Sequence, residues 1–499
     1  MDDRTLSTSV HELKTLILSY HPVIVIETVE EERVRKLLQS VATNLEMRFF
    51  EWTLTRGLTR SEDNKSLTKT DFPLQMLEHV ESLTVDAVYV LKDFSQHLSE
   101  PSVARKMREV AQRFLGRRSS MVVVGESVKL PDEIEHKSIH YTLRLPGPDE
   151  IKGVIRNVIA SLRGKHPVAV ELSGSDFQEL LRDLSGMTLN QARQIVAYCI
   201  LEDGKLSGSD LKNVVERKAQ VIREGGLLEY FPVEDNRYEL GGFDRLKEWL
   251  ERARTGFSKE AQKFNLNPPK GILIVGVQGC GKSLAAKTIA REWRLPLLKL
   301  DAGRLFDKYI GESEKNFRTA ISLAESMAPA VLWIDEIEKG MAPSGGIESD
   351  GGLSRHLFGS FLTWLQEKKD EVFVVATAND LSMLPPELLR KGRFDEIFFV
   401  DLPNAQERES IFKIHLELRN QDGRSLDLSR LVKATDGFSG AEIEQVVIAS
   451  LYTALHRKAT PGTELILESV RETVPLSVSR REDIDELRSM AEGRFVPVK

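Results

Sequence analysis

The sequence predicts an α/β protein of two tandem modules, each a parallel sheet flanked by helices and followed by a helical segment, with a degenerate N-terminal module. Strands alternate with helical segments along most of the chain, which is the pattern of a parallel sheet. Segments of the second half repeat those of the first in the same order. At 499 residues there is room for about three domain-sized units. The predicted divisions are 1–164 for the N-terminal α/β module, 165–220 for its helical segment, 221–240 for a linker, 241–402 for the second α/β core, 403–475 for its helical lid and 476–499 for a tail.

Within residues 1–164, short apolar runs alternate with stretches whose apolar residues recur at helical spacing. The predicted strands cover 23–28, 48–53, 87–91 and 120–124, and the predicted helices cover 10–20, 30–41, 74–83 and 101–115. Residues 57–70 are polar and turn-rich, so we expect an exposed loop there.

The internal repeat is clearest in two pairs of segments. DAVYVLKDF (86–94) parallels APAVLWIDEI (328–337), and YTLRLPGPDEIKGVI (141–155) parallels IFFVDLPNAQERESIF (397–412). Two α/β units can share generic strand patterns, but leucine-proline pairs recurring in the same order favour duplication. The first copy has IETVEEERVRK (26–36) where the second has a glycine-rich loop, and its three consecutive glutamates would repel phosphate. We therefore predict that the N-terminal module does not hydrolyse nucleotide.

The glycine-rich loop of the second copy fits the P-loop pattern at every fixed position and lies between an apolar strand and a helix. Glycines let successive backbone N–H groups surround a phosphate, and the following helix directs its positive end at the anion. Lys282 would reach the β- and γ-phosphates, and Ser283 would bind Mg²⁺. The predicted nucleotide-binding residues here are Gly276, Val277, Gln278, Gly279, Cys280, Gly281, Lys282, Ser283 and Leu284.

Polar side chains follow the next strands of this core. Asp335 and Glu336 end an apolar strand, where the first would hold Mg²⁺ and the second would polarise the attacking water. Asn379, at the end of another strand, could orient that water or sense the γ-phosphate. Arg390 and Arg393 suit charge stabilisation of a phosphoryl transition state, with surface salt bridging as the alternative.

Composition excludes several other classes. The net charge of −7 and the absence of an aromatic-basic stripe disfavour a DNA or RNA motor. Two cysteines in unrelated contexts indicate a reducing compartment rather than a disulfide framework. The N-terminus is acidic where a secretory signal would be basic, and the early apolar run 23–26 is too short to cross a bilayer. We expect a cytoplasmic protein, or a stromal one if it is plastid-encoded.

Together these motifs resemble the AAA branch of the AAA+ ATPases over about 230–455. The resemblance implies that ATP and Mg²⁺ are bound, that Asn379 is sensor 1, and that Arg390 and Arg393 are arginine fingers acting on a neighbouring subunit. It also implies further nucleotide contacts from Gly241 and Gly242 beside adenine, His415 near the sugar, and Gly440 and Ala441 in the lid.

The same resemblance implies a ring-shaped homo-oligomer, expected to be a hexamer, that acts on a protein partner. Tyr309, Ile310 and Gly311 match the family's first pore loop, and Tyr309 would grip a polypeptide in the central channel. The alternative is a buried tyrosine at the start of a helix. Residues 343–354 are polar and glycine-rich, which fits a second pore loop or a simple connector.

Over essentially the whole chain, the sequence is similar to a narrower family of cyanobacteria and algal plastids, known as hypothetical chloroplast reading frame forty-six (Ycf-type). That similarity implies a role in photosynthetic or inorganic-carbon regulation, without naming a substrate. The rival hypothesis is a slow nucleotide-controlled scaffold that threads nothing.

Two weaker signals concern metal binding and redox chemistry. His136 and His140 have the spacing of a metal pair on a helix, but their segment reads as a strand, which separates them. Cys280 is either a small tolerated residue or, because of the helix N-terminus, a thiol with a lowered pKa that serves as an oxidation switch.

Overall fold

The computed structural model describes residues 4–60, 65–232, 241–257, 259–302, 312–340, 351–390, 392–421, 423 and 426–499. The chain divides into two compact units, Met1–Val214 and Val215–Lys499. The predicted pore residues Tyr309, Ile310 and Gly311 lie outside the described residues, and so does most of the segment 343–354.

The first unit is an α/β sheet layer followed by a helical cluster. Its elements are α1 (Arg4–Leu18), β1 (Val23–Glu27), α2 (Glu31–Asn44), β2 (Arg48–Thr53), β3 (Gly57–Arg60), β4 (Lys65–Ser66), α3 (Pro73–Ser82), β5 (Ala87–Lys92), α4 (Pro101–Phe114), β6 (Ser120–Gly125), α5 (Asp132–Glu135), β7 (Ser138–His140), α6 (Pro148–Arg163), β8 (Ala169–Glu171), α7 (Gly174–Leu184), α8 (Leu189–Asp203) and β9 (Lys205–Ser207). The division between the units falls within α9 (Asp210–Glu224).

The second unit repeats this plan. Its elements are β10 (Leu228–Phe231), α10 (Asp244–Arg254), α11 (Lys259–Lys263), β11 (Gly271–Gly276), α12 (Lys282–Trp293), β12 (Leu297–Asp301), α13 (Glu312–Ser326), β13 (Ala330–Asp335), α14 (Gly351–Glu367), β14 (Val372–Ala378), β15 (Glu396–Val400), α15 (Ala405–Glu417), α16 (Leu428–Ala434), α17 (Gly440–Arg457), α18 (Thr463–Glu472), α19 (Leu476–Ser479), α20 (Arg481–Ala491) and β16 (Val496–Pro497).

The two large sheets have the same central strand order. It is β2-β5-β6-β1-β7 in the first unit and β12-β13-β14-β11-β15 in the second, with every neighbouring pair parallel. The central strands are buried on both faces, which explains their continuous runs of valine, isoleucine and leucine. The predicted fold class, two tandem modules of one α/β design, is therefore confirmed.

The duplication extends to local backbone geometry. Asp93 follows β5 and Glu336 follows β13, and each of these strands is the third in chain order among the five central parallel strands of its unit. Both residues adopt left-handed φ angles, 53° and 49°. Non-glycine residues rarely adopt this conformation, so its recurrence at one position favours common descent over a shared generic pattern.

The structure differs from several sequence predictions at the edges of the modules. Residues 57–60 and 65–66 form antiparallel strands rather than an exposed loop, and Leu58 is fully buried. The segment that contains His136 and His140, predicted as a strand, is a strand only over Ser138–His140. In the predicted linker 221–240, α9 continues to Glu224 and β10 pairs antiparallel with β12. These short edge elements lack a strong period, so local sequence carries little signal for them.

The helical segments also begin or end differently from the prediction. The apolar face of α6, which includes Ile151, Val154 and Ile155, packs in one cluster with α7 and α8. A division near residue 147 therefore fits the packing better than the predicted one at 164. In the tail, residues 481–491 form the helix α20, and the residues that follow it join the sheet as β16, parallel to β15.

Candidate active site

The phosphate loop joins β11 to α12 through glycines that no other residue could replace without strain. Gly276, Gly279 and Gly281 have φ angles of 148°, 75° and 89°. A Cβ on Gly276 would lie 2.0 Å from the carbonyl oxygen of Val400. The loop therefore passes against β15 and turns sharply into α12, which leaves backbone N–H groups and the helix N-terminus at its open side.

Lys282, the first residue of α12, is a buried cation. Only 6% of it is exposed, and its Nζ donates to the carbonyl oxygens of Gly276 and Val277 over 2.7 and 2.8 Å. Burial lowers the Lys282 pKa to about 8, although nearby acidic groups partly oppose this shift. A bound anion would compensate this charge, so the loop fits a phosphate.

This pKa predicts a pH dependence of nucleotide binding. An anion binds to protonated Lys282 and raises the pKa of Lys282. Above pH 8 the free protein has lost this proton, so binding must take one up and the affinity falls. We expect affinity for a fluorescent ADP analogue to fall about tenfold between pH 7 and 9. The Lys282→Met variant should bind weakly and lose this fall; a flat wild-type profile at constant ionic strength would contradict the prediction.

The predicted metal residues lie together beside the loop. The Ser283 hydroxyl donates to Oδ1 of Asp335 over 3.3 Å, and the Thr377 hydroxyl donates to the same oxygen over 2.8 Å. Lys299 Nζ lies 3.3 Å from Asp335 Oδ2. Hydroxyl and carboxylate oxygens suit Mg²⁺, which usually binds few protein ligands and completes its shell with phosphate and water. When bound there, the ion would neutralise phosphate charge. Among the described residues, no group of three or more His, Cys, Asp or Glu side chains is placed to hold a metal ion.

The predicted catalytic carboxylate is held by two partners. Asn379 Nδ2 donates to Glu336 Oε1 over 3.0 Å, and Lys339 forms an ion pair with Oε2. The backbone N–H of Asn379 donates to Glu338, whose pKa is raised chiefly by burial. Asn379 is thus fixed at both its backbone and its side chain, which makes it suited to orient Glu336.

A cavity of about 570 Å³ brings most of the predicted residues together between the core and the lid of the second unit. The predicted residues that line it are Gly241, Gln278, Gly279, Cys280, Gly281, Lys282, Ser283, Leu284, Asp335, Glu336, Asn379, His415, Gly440 and Ala441. Gly242, Gly276 and Val277 lie just behind this lining. Gly242 packs against Glu407, and the other two supply carbonyls to Lys282. The geometry accommodates these assignments, which stay predictions.

On the lid side, the cavity is bounded by the start of α17 and by His415. The Ala441 N–H at the start of α17 donates to the carbonyl oxygen of Gly279 over 3.0 Å, so lid and phosphate loop touch directly. Burial lowers the pKa of His415, which lies 3.6 Å from Glu444 and 3.3 Å from Arg419. A neutral imidazole here can accept or donate a hydrogen bond to a ligand.

The two predicted arginine fingers are not part of the cavity that the described residues form. Arg393 Nη1 donates to the carbonyl oxygen of Leu362 over 3.1 Å. Asp395 anchors the same segment, because its Oδ2 accepts the backbone N–H groups of Lys270 and Gly271 over 2.6 and 2.8 Å. These hydrogen bonds attach the segment to the start of β11, at the opposite end of that strand from the phosphate loop of the same chain.

Sequence reasoning missed several residues of the site. Thr377, Lys299 and Lys339 contact the acidic pair, and Val498 and Lys499 line the cavity from the tail. The strand position of Thr377, two residues before Asn379, was an available signal, since both side chains point to one face. Nothing local in the sequence indicates the others.

Cys280 is buried, with 8% exposed, and burial raises its pKa to about 12. Little thiolate forms at neutral pH, so the structure supports the interpretation of Cys280 as a small packed residue over that of an oxidation switch.

Comparisons with known proteins agree with this geometry. A SpoVK-like AAA ATPase N-terminal domain matches residues 9–143, and the second domain of that family matches 149–225. The AAA family of ATPases associated with various cellular activities matches 272–402, and the AAA+ lid domain matches 425–468.

Three full-length relatives decide the family. Each is named "Uncharacterized AAA domain-containing protein ycf46". The protein of Trieres chinensis is 36% identical over 96% of both chains. That of Pyropia yezoensis is 37% identical over 97% of this chain and 98% of its own, and that of Guillardia theta is 37% identical over 97% and 94%. The chain belongs to the ycf46 family of AAA domain proteins. The predicted resemblance is therefore confirmed. None of the helices in the described parts of this ycf46-family chain is long and apolar enough to cross a membrane.

In this ycf46-family protein, the N-terminal unit carries inverted charges at the matching positions. Glu31 begins α2 where Lys282 begins α12, and Lys92 ends β5 where Asp335 ends β13. Lys92 Nζ lies 3.2 Å from Glu31 and 2.5 Å from Glu51. An acidic helix start opposes phosphate binding, as the sequence predicts.

A buried network of ion pairs lies next to the start of α2, the position that matches the start of α12 in the second unit. Arg33 donates through Nε and Nη2 to both carboxylate oxygens of Glu150 over 2.8 and 2.9 Å, and through Nη1 to Glu30 over 3.1 Å. Glu30 in turn accepts the backbone N–H of Leu189, at the start of α8, over 2.7 Å. The network thus joins the sheet layer to the helical cluster within the unit.

Proposed function

We propose that this protein binds ATP and hydrolyses it with Mg²⁺ in the cavity of its second unit. The observation that carries the proposal is the convergence on one cavity of Lys282, the Ser283–Asp335 pair and the Glu336–Asn379 pair. These groups match the needs of phosphoryl transfer, namely a cation for the phosphates, oxygen ligands for Mg²⁺ and a carboxylate for the attacking water. Phosphate release by purified protein with Mg²⁺, compared with excess EDTA and with Lys282→Ala, tests the proposal.

The protein acts, in this proposal, as a ring oligomer in which one subunit completes the site of the next. Support comes from the anchored segment that holds Arg393 outside its own cavity. Its work is the remodelling of a protein partner, with Tyr309 gripping the chain. The predicted hexamer, the predicted place in photosynthetic or inorganic-carbon regulation, and the cytoplasmic or stromal location stay predictions.

Mixing two inactive variants tests completion in trans. Arg393→Ala removes the finger and Glu336→Gln removes the water-polarising carboxylate, so each alone should be nearly inactive. In mixed rings, some sites combine an intact Glu336 with an intact Arg393 from the neighbour, and we expect phosphate release to reappear. Arg390→Ala mixed in the same way reports on the second arginine. No recovery in mixtures that co-assemble would argue against fingers acting in trans.

One observation favours the rival function, a slow nucleotide-controlled scaffold. Each oxygen of Glu336 already has one partner, Asn379 for Oε1 and Lys339 for Oε2, which leaves fewer acceptor positions for an attacking water. Tyr309→Ala discriminates the two. In a remodelling enzyme this change should spare the ATPase and abolish partner processing. Normal ATPase with an unchanged effect on the partner would defeat the threading model and leave the scaffold.

A further inference from the structure

The tail segment Leu476–Lys499 runs from the lid of the second unit to the edge of its sheet. At its start, the backbone N–H of Leu476 donates to Glu442 on the first turn of α17 over 2.6 Å. Near its middle, Arg488 donates to both oxygens of Asp401 over 2.9 to 3.1 Å. At its end, β16 lies parallel to β15. The segment therefore bridges the two parts that enclose the cavity.

Its last residues are fixed on both sides. The Val498 N–H donates to the carbonyl oxygen of Phe399 over 3.1 Å, and the Val498 carbonyl accepts from the Arg245 N–H over 3.1 Å. The Val498 side chain is 1% exposed. This pairing holds the next residue, Lys499, at the wall of the cavity.

Lys499 pairs there with a carboxylate that also lines the cavity. Its Nζ lies 2.7 Å from Glu407 Oε2 and donates to the carbonyl oxygen of Leu402 over 2.8 Å. The Glu407 side chain is only one-tenth exposed, and its Oε2 also accepts the Asn404 N–H over 2.8 Å. Its Oε1 lies against Gly242, in the segment predicted to border adenine.

The charge of Glu407 is a problem for a nucleotide site. A nucleoside diphosphate or triphosphate is a polyanion, and an unpaired, poorly hydrated carboxylate in the same cavity would repel it. Glu407 also has a structural role, because it caps α15 by accepting the Asn404 N–H. A cation beside it resolves the conflict, and among the cavity-lining residues Lys499 is the lysine in contact with it.

We propose that Lys499 is a positioning residue of the nucleotide site, which neutralises Glu407 and thereby lets this end of the cavity accept a nucleoside polyphosphate. The inference rests on the proposed function, since it assumes that the cavity takes nucleotide. It assigns the tail a direct part in ligand affinity rather than a purely structural one.

The test is a charge cycle on the full-length protein, read as the dissociation constant of N-methylanthraniloyl-ADP. Lys499→Gln leaves Glu407 unneutralised, so we expect binding to weaken about tenfold at low salt, and less at high salt because screening reduces the repulsion. Lys499→Arg should bind nearly as the wild type. The double variant Lys499→Gln with Glu407→Gln should recover to within about twofold, since glutamine still accepts the Asn404 N–H. Lys433→Gln, an exposed lysine of the lid, is the matched control.

Two outcomes would overturn this inference and leave the proposed function intact. The first is wild-type affinity in Lys499→Gln. The second is equal weakening in the single and double variants, which would show a structural loss rather than a charge effect. If the wild type itself binds no nucleotide, the proposed function fails and the inference falls with it, so the two failures are distinguishable.

Discussion

Replacing Glu336 by Gln should leave ATP binding close to that of the wild type and slow hydrolysis about 100-fold or more. Glutamine keeps the size of the side chain and an oxygen that can accept from Asn379, as Glu336 Oε1 does over 3.0 Å. It cannot accept a proton from the attacking water, so only the chemical step suffers. Single-turnover phosphate release measures that step, and titration with a fluorescent ATP analogue measures binding.

Glu417→Gln is the matched control, because Glu417 is an exposed glutamate on α15 outside the cavity. It should hydrolyse ATP at the wild-type rate. Release of phosphate by Glu336→Gln within about threefold of the wild type would remove Glu336 from the general-base role. Loss of binding together with hydrolysis would mean instead that Glu336 holds the site together.

The second large effect concerns stability. Arg33→Ala should lower the free energy of unfolding of the N-terminal unit by about 3–5 kcal/mol. Arg33, Glu30 and Glu150 have side chains only 5 to 6% exposed, so removing the guanidinium leaves two buried carboxylates without their cation. Hydrogen exchange read by mass spectrometry, on peptides from α2 and α6, measures the loss of protection in the unit itself.

Arg35→Ala supplies the comparison on the same helix. Arg35 pairs with Glu32 over 3.1 Å, but these side chains are 30% and 71% exposed. An exposed pair contributes about 0–1 kcal/mol, so this variant should exchange almost as the wild type does. Equal protection in the Arg33 and Arg35 variants would show that the buried network contributes little.

The sequence predicted well those features that repeat or follow a strand. The fold class rests on long apolar strands and on a duplicated order of segments, and the polar residues after β13 and β14 converge because parallel strands end at one edge. Prediction was weaker where short elements pair across long sequence distances. β10 and β16 are edge strands of four and two residues, and their positions depend on tertiary pairing rather than on local periodicity.

The same limit applies to individual charges. Three consecutive glutamates in the first module predicted repulsion of phosphate, but not that Glu30 would be neutralised by Arg33 inside the protein. Similarly, the contact between Lys499 and Glu407 joins residues far apart in the chain. Contacts of this kind depend on the packed structure, and no motif marks them.

The strand order of the second unit has a consequence for how the protein is made. β11 carries the phosphate loop, but both strands that flank it, β14 and β15, come later in the chain. During translation, the ribosome therefore releases β11 about a hundred residues before its partners exist. An apolar strand with two unpaired edges is prone to aggregate. We expect the growing chain to need protection, by a chaperone or by slow elongation, over the interval between these strands.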